Sequence, residues 1–125
     1  MNESMKTKIL IVEDDVDVRR GLNIRLRANG YDTAFAQDAI SAISEARKSK
    51  PDLIVLDIGL PGGDGFVVME RFRDIASLAC IPIVVLSARD PIANRQKAID
   101  AGAVAFFQKP ADNEQLLSTI VKALG

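Results

Sequence analysis

Short runs of four apolar residues alternate with longer amphipathic stretches along this chain, and each run stops at polar residues. Ile9-Leu10-Ile11-Val12 leads into Glu13-Asp14-Asp15, and Leu53-Ile54-Val55-Leu56 leads into Asp57. Ile83-Val84-Val85-Leu86 meets Ser87, and Val104-Ala105-Phe106-Phe107 is followed by Gln108-Lys109-Pro110. Continuous apolar runs of this length, bounded by turn signals, predict strands buried on both faces, as in a parallel sheet. A weaker run, Thr33-Ala34-Phe35-Ala36, predicts one more strand.

Between the strands the period changes to that of a helix. Residues 16–29 predict the first helix, with Asp15 as N-cap and Gly30 as terminator. Asp38 caps the second, which places Ala39, Ala42, Ile43 and Ala46 on one face before Pro51 closes it. After the Gly59-Leu60-Pro61-Gly62-Gly63-Asp64-Gly65 loop, the third carries Phe66, Met69 and Phe72. Asp90-Pro91 opens the fourth and Gly102 stops it. Asp112 and Gln115 offer a capping-box-like start to the last, whose Leu117, Ile120, Val121 and Leu124 form an apolar stripe. Five alternations predict an α/β fold of right-handed βαβ units around a doubly wound parallel sheet. The 125 residues make one domain, 8–125, after an N-terminal extension of residues 1–7.

Open sheets of this kind bind ligands at the carboxyl ends of their strands. The residues just beyond those ends are Glu13, Asp14, Asp57, Ser87 and Lys109, all polar. If the first and third strands are neighbours, Asp14 and Asp57 face one another. Like charges about 4 Å apart repel by about 4 kcal/mol at an effective dielectric of about 20, so the pocket needs a cation. Carboxylate oxygens suit Mg²⁺, with Glu13 joining directly or through water, while Asp15 is read as a helix cap. A carboxylate there can also be a nucleophile. Phosphoryl transfer needs positioning and charge neutralisation more than acid–base groups. Lys109 supplies a second cation and Ser87 a hydroxyl donor for a phosphate oxygen. A lysine in a turn is usually solvated, and a serine after a strand often starts a turn; their matched placement favours the site. A cis Lys109-Pro110 bond, a form only about 5–6% of such bonds take, would aim the amine inward.

Composition narrows the chemistry. The chain has no histidine, which excludes imidazole catalysis, His-ligated zinc and a phosphohistidine carrier role. Sixteen basic and seventeen acidic residues give a net charge of −1, no footprint for nucleic acid. The apolar runs fall far short of the roughly 18 residues that span a membrane. Met1-Asn2-Glu3-Ser4-Met5-Lys6 lacks an apolar signal core, so a cytoplasmic location is expected. Cys80, the only cysteine, rules out an internal disulfide and fits a reducing compartment. Beside Ile81, it is expected to be a small core residue.

Glu13-Asp14-Asp15, Asp57 with Leu60-Pro61 and Asp64-Gly65, Ser87-Ala88 and Lys109-Pro110 together resemble the receiver domains of two-component response regulators. The resemblance runs from Lys8 to Leu124 and implies a flavodoxin-like sheet with strand order 2-1-3-4-5. It implies Asp57 as phosphoacceptor, with Mg²⁺ held by Asp14, Asp57, the Gly59 main-chain carbonyl and Glu13, the last usually through water. Ser87 matches the family's switch residue, Phe106 its aromatic partner and Lys109 its phosphate-binding lysine. The implied donor is a phosphohistidine on a sensor kinase or histidine phosphotransfer protein. The implied output is a protein target, reached through the face of helix four, strand five and helix five. No nucleic acid or membrane is bound by the chain itself, which is expected to be a monomer or a phosphorylation-dependent dimer.

Phe106 lacks the hydroxyl of the common tyrosine, and Ala111 stands where phenylalanine is frequent, which would loosen the turn. Gly59 and Arg89 occupy the family's lifetime-tuning positions with opposing effects: an open approach for water at 59, a partial cover at 89. A phosphorylation-independent interaction module is the first rival, but it predicts a missing acceptor, lysine or acidic pair, and none is missing. A Mg²⁺-dependent phosphohydrolase with an Asp nucleophile commonly needs a second acid two residues on, where this chain has Gly59. A dinucleotide fold lacks its G-x-G-x-x-G after the first strand. Gly62-Gly63-Asp64 invites comparison with cyclic-dinucleotide synthases but is read as a loop. A stand-alone regulator and a receiver within a larger protein both fit. Gly102-Ala103-Val104-Ala105-Phe106 lacks the paired acids that transcription-factor receivers often place there, which weakens a DNA-binding parent.

Overall fold

The computed structural model describes residues 6–61 and 64–125. Most of the expected extension (residues 1–5) and the Gly62-Gly63 pair lie outside the described residues. The elements run β1 (Lys8–Val12), α1 (Val16–Ala28), β2 (Asp32–Ala36), α2 (Ala39–Ser49), β3 (Leu53–Leu56), α3 (Gly65–Asp74), β4 (Ile83–Ser87), α4 (Pro91–Asp100), β5 (Ala105–Gln108) and α5 (Asn113–Leu124). All strand pairs are parallel, in the order β2-β1-β3-β4-β5 that the resemblance implied.

Strand alternation divides the core in two. Leu10, Val12, Ile54, Leu56 and Val85 point to one face, where Ala42 and Ala46 of α2, Met69 and Phe72 of α3 and Ala98 of α4 cover them. Ile9, Ile11, Leu53, Val55, Val84 and Leu86 point to the other, under Leu26 of α1 and Leu116 and Ile120 of α5. A strand buried on both sides has no place for charge until it ends. That is why each apolar run stops where it does.

Aspartates start the helices. Asp15 accepts from the Asp17 and Val18 N–H groups, Asp38 from Ser41, Asp90 from Ile92, and Asp112 from Glu114 and Gln115. These short side chains satisfy donors that the first helical turn leaves unpaired. Gly30 leaves α1 with φ +89°, a left-handed conformation that favours glycine.

Four expectations need correcting. Ser87 closes β4 rather than following it, and β5 runs one residue later than its apolar run suggested, leaving Val104 exposed. On α5, Leu116 and Ile120 face the sheet; Val121, about 100° round the helix from Ile120, is 60% exposed. Cys80 is exposed, not in the core. The turns Leu78 N–H to Ile75 O and Ile81 N–H to Leu78 O put Leu78 in the buried place instead.

One close approach fixes the loop after β3. The Gly65 N–H donates to the Ile58 carbonyl at 3.0 Å, and a Cβ on Gly65 would sit 2.3 Å from the Ile58 Cα. Backbone cannot yield as a flexible side chain can. We expect Gly65→Ala to lose about 1–3 kcal/mol in urea unfolding, the usual cost of overpacking; an unchanged midpoint would contradict this contact.

Candidate functional site

The ladder carries pairing one step beyond the strands. Glu13 N–H donates to Ala36 O and Asp57 N–H to Val12 O, each at 3.0 Å. Val12 lies opposite Leu56 in the β1–β3 register, so the residues that follow them emerge side by side. Glu13, Asp14 and Asp57 each offer a carboxylate oxygen, and these oxygens all lie within 4.8 Å of one another. Glu13 and Asp57 are buried, at 2% and 7% exposure, while Asp14 stands exposed at the mouth.

Lys109 reaches the same point from the far side of the sheet. Its Nζ donates to Asp57 Oδ2 at 3.1 Å and contacts Glu13 Oε1. The Lys109-Pro110 peptide is cis, as the sequence suggested, and the Lys109 N–H donates to the Ser87 carbonyl at 2.8 Å. The Gly59 N–H donates to Asp57 Oδ1 at 2.9 Å, so each oxygen of the Asp57 carboxylate has a donor. Three clustered carboxylates against one ammonium leave an excess of negative charge. The donors are all hard oxygens, with no nitrogen or sulfur among them, which fits a Mg²⁺-type ion.

Ser87 is fully buried, and its Oγ accepts from the Arg89 N–H at 3.0 Å; among the described residues no hydrogen bond joins it to Asp57. Arg89 extends across the mouth, its Nη1 3.9 Å from Asp64 Oδ1. A Cβ on Gly59 would lie 3.9 Å from Arg89 Nε and 3.5 Å from Asp57 Oδ1, ordinary contact that leaves room for a side chain. Phe106 is buried one strand further out. Ala111 lines an open groove of about 440 Å³ beside Lys109 and Pro110, with Leu22 and Leu116 among its other walls. Sequence reasoning missed Arg19, whose Nη1 donates to the Glu13 carbonyl at 3.0 Å. As one of several arginines on an amphipathic helix, it carried no signal of that contact.

Burial pushes the Glu13 carboxyl above its ordinary value, against the pull of its hydrogen bond to Lys109. For Lys109, burial pulls the ammonium down, but the bond to Glu13 and the charges of Asp57 and Glu13 outweigh it, and the net shift is upward. The folded chain therefore holds the Lys109 proton more tightly than the unfolded chain does. This stabilisation is complete below about 10.5, the ordinary lysine value, and is lost as pH rises through the raised one. Without divalent ions, the stability advantage of the wild type over Lys109→Met should accordingly shrink above that pH in denaturant titrations. A constant difference up to the alkaline limit would contradict the pairing.

Comparison with known proteins agrees with this geometry. The response regulator receiver domain family matches residues 9–121. Response regulator MprA of Mycobacterium sp. (strain KMS) is 39% identical over 114 residues, 91% of this chain and 49% of that protein. The KDP operon transcriptional regulatory protein KdpE of Escherichia coli (strain K12) is 39% identical over 118 residues, 94% of this chain and 51% of that protein. The chain thus spans about half the length of the curated relatives it matches. Among solved structures, the receiver domain of sensor histidine kinase PA1611 from Pseudomonas aeruginosa PAO1 has a magnesium ion coordinated in its active-site cleft. It superposes with a TM-score of 0.87 at 26% identity, covering 96% of this chain and 98% of that one. With a matching family over nearly its whole length, this chain belongs to the response regulator receiver domains.

Proposed function

We propose that Asp57 accepts a phosphoryl group from a phosphohistidine on a partner sensor kinase or histidine phosphotransfer protein. The observation that carries this reading is a buried carboxylate held between the Gly59 N–H and the Lys109 ammonium, with Glu13 and Asp14 beside it. An Asp57 oxygen attacks phosphorus as the P–N bond breaks. The donor imidazole leaves with the bonding electrons and takes up a proton, and an acyl phosphate remains. Glu13, Asp14, Asp57 and the Gly59 carbonyl would hold Mg²⁺, which when bound neutralises charge on the transferring group. Lys109 already contacts the Asp57 carboxylate and need only shift its ammonium to a phosphoryl oxygen. Gly59 and Arg89 tune hydrolysis by opening and covering the approach to Asp57. The chain thereby takes part in its own phosphorylation and dephosphorylation; it is a signalling module rather than a turnover enzyme.

Phosphorylation replaces a −1 carboxylate by a group of about −1.5 to −2, by analogy with other phospho-residues. The new oxygens draw in Lys109 and the Ser87 hydroxyl, and movement of Ser87 frees space for Phe106. The face of α4, β5 and α5 changes shape, and a downstream protein reads it. Ile92 and Val104 supply that face with apolar side chains at 93% and 51% exposure. Moving the population from 1:99 to 99:1 takes about 5.5 kcal/mol of differential stabilisation.

Two measurements test the reading. Asp57→Asn should fold but take up no labelled phosphate from a phosphohistidine donor or a small phosphoramidate; label on that variant would refute the assignment. Mg²⁺ at about 100 times its Kd should stabilise the wild type by about 2.7 kcal/mol. Asp14→Asn should lose most of that response, and an undiminished one would remove Asp14 from the ion's ligands.

A further inference from the structure

Helix α4 is held to the sheet by little apolar surface: its buried residue is Ala98, while Ile92 is 93% exposed. A second tie comes from Arg95. Its Nη1 donates to the Phe106 carbonyl at 3.2 Å, and its guanidinium carbon lies 5.5 Å from the centroid of the Phe106 ring. One side chain therefore grips both the main chain of β5 and the face of the ring beneath α4. None of the four ion pairs among the described residues involves Arg95, so no carboxylate competes for its donors. Phe106 is 3% exposed and packs in the same cluster as Ala98, Ala103 and Val85. It has no hydroxyl, so no hydrogen bond of its own can orient the ring. Orientation is left to packing and to the cation over its face.

We propose that Arg95 is a positioning residue that latches Phe106 in its unphosphorylated place and so sets how readily the α4–β5–α5 face switches. The proposal rests on reading Ser87 and Phe106 as the switch pair. In this state the Ser87 hydroxyl oxygen is bonded to the Arg89 N–H. A displacement of the Phe106 ring toward Ser87 must pull it from under the guanidinium. Whatever stabilises the unswitched state is subtracted from the affinity for a group that selects the switched one, and by linkage the factor is the same in both directions. Loss of Arg95 therefore favours the switched population, and the site itself, on the other side of β4, binds a phosphoryl mimic more tightly.

The test is calorimetric titration of the full chain with beryllofluoride in saturating Mg²⁺. We expect Arg95→Ala to bind about two- to fivefold more tightly than wild type, the range of an exposed cation–π contact. Arg95→Lys, which keeps a cation for the ring but not the planar fork, should fall between them. In a Phe106→Leu background the gain from Arg95→Ala should disappear, whereas an arginine acting only through the main-chain carbonyl of residue 106 would give the same change in both backgrounds. Normal wild-type binding with equal or weaker affinity in Arg95→Ala overturns the latch alone. No saturable binding by the wild type overturns the phosphoacceptor reading and the latch with it.

Discussion

The structure turns on a conflict of charge at the carboxyl end of a parallel sheet. Adjacent strands β1 and β3 deliver Glu13, Asp14 and Asp57 to one place, and a single ammonium, Lys109, opposes them. Nothing in the packing of a buried sheet calls for that arrangement. Burying carboxylates costs stability unless they are paired, and at Glu13 burial outweighs the pull of the bond to Lys109. The molecule holds together because two apolar layers enclose the central strands β1, β3 and β4, with the unresolved charge confined to the strand ends. A site of this kind gains by taking up a cation and by converting one carboxylate into a group that Lys109 can share.

The same strand ends connect the site to a distant surface. Ser87 closes β4 beside Asp57's strand, and its carbonyl accepts the Lys109 N–H, tying the two ends together. Phe106, opposite Val85 in the β4–β5 register, lies beneath α4. Arg95 then joins that ring and its carbonyl to the helix. On the proposed reading, a change at Asp57 would have a short route along these strand ends to the α4–β5–α5 face. On that reading, the weak apolar anchoring of α4 makes it the element such a change would move.

Much of this was legible in the chain because strong local signals agreed. Four-residue apolar runs ending at Glu13 and Asp57 predicted both the buried strands and the charged edge. Asp15, Asp38, Asp90 and Asp112 marked the helix starts because capping is a local hydrogen bond that sequence spacing encodes. The misreadings have a common cause. Val121 and Cys80 are apolar neighbours of core residues, and a neighbour's burial does not fix a side chain's own direction. Leu116 and Leu78 took those inner places through the phase of α5 and the turn after α3. Arg19 and Arg95 stayed invisible for a different reason. A long side chain's partner is chosen by tertiary contact, and arginines on exposed helix faces look alike in sequence. Gly65 sits between: Asp64-Gly65 signalled a loop, but only the 2.3 Å approach to Ile58 explains why glycine is needed there.

The central claim is that Asp57, set between a lysine ammonium and two further carboxylates, is where phosphorus lands. Its most direct test is chemical trapping. The chain is phosphorylated, reduced with borohydride, which converts an aspartyl phosphate to homoserine, and mapped by mass spectrometry. The account predicts homoserine at position 57 and at no other aspartate. Homoserine at Asp14 or elsewhere, with residue 57 unmodified, would contradict it.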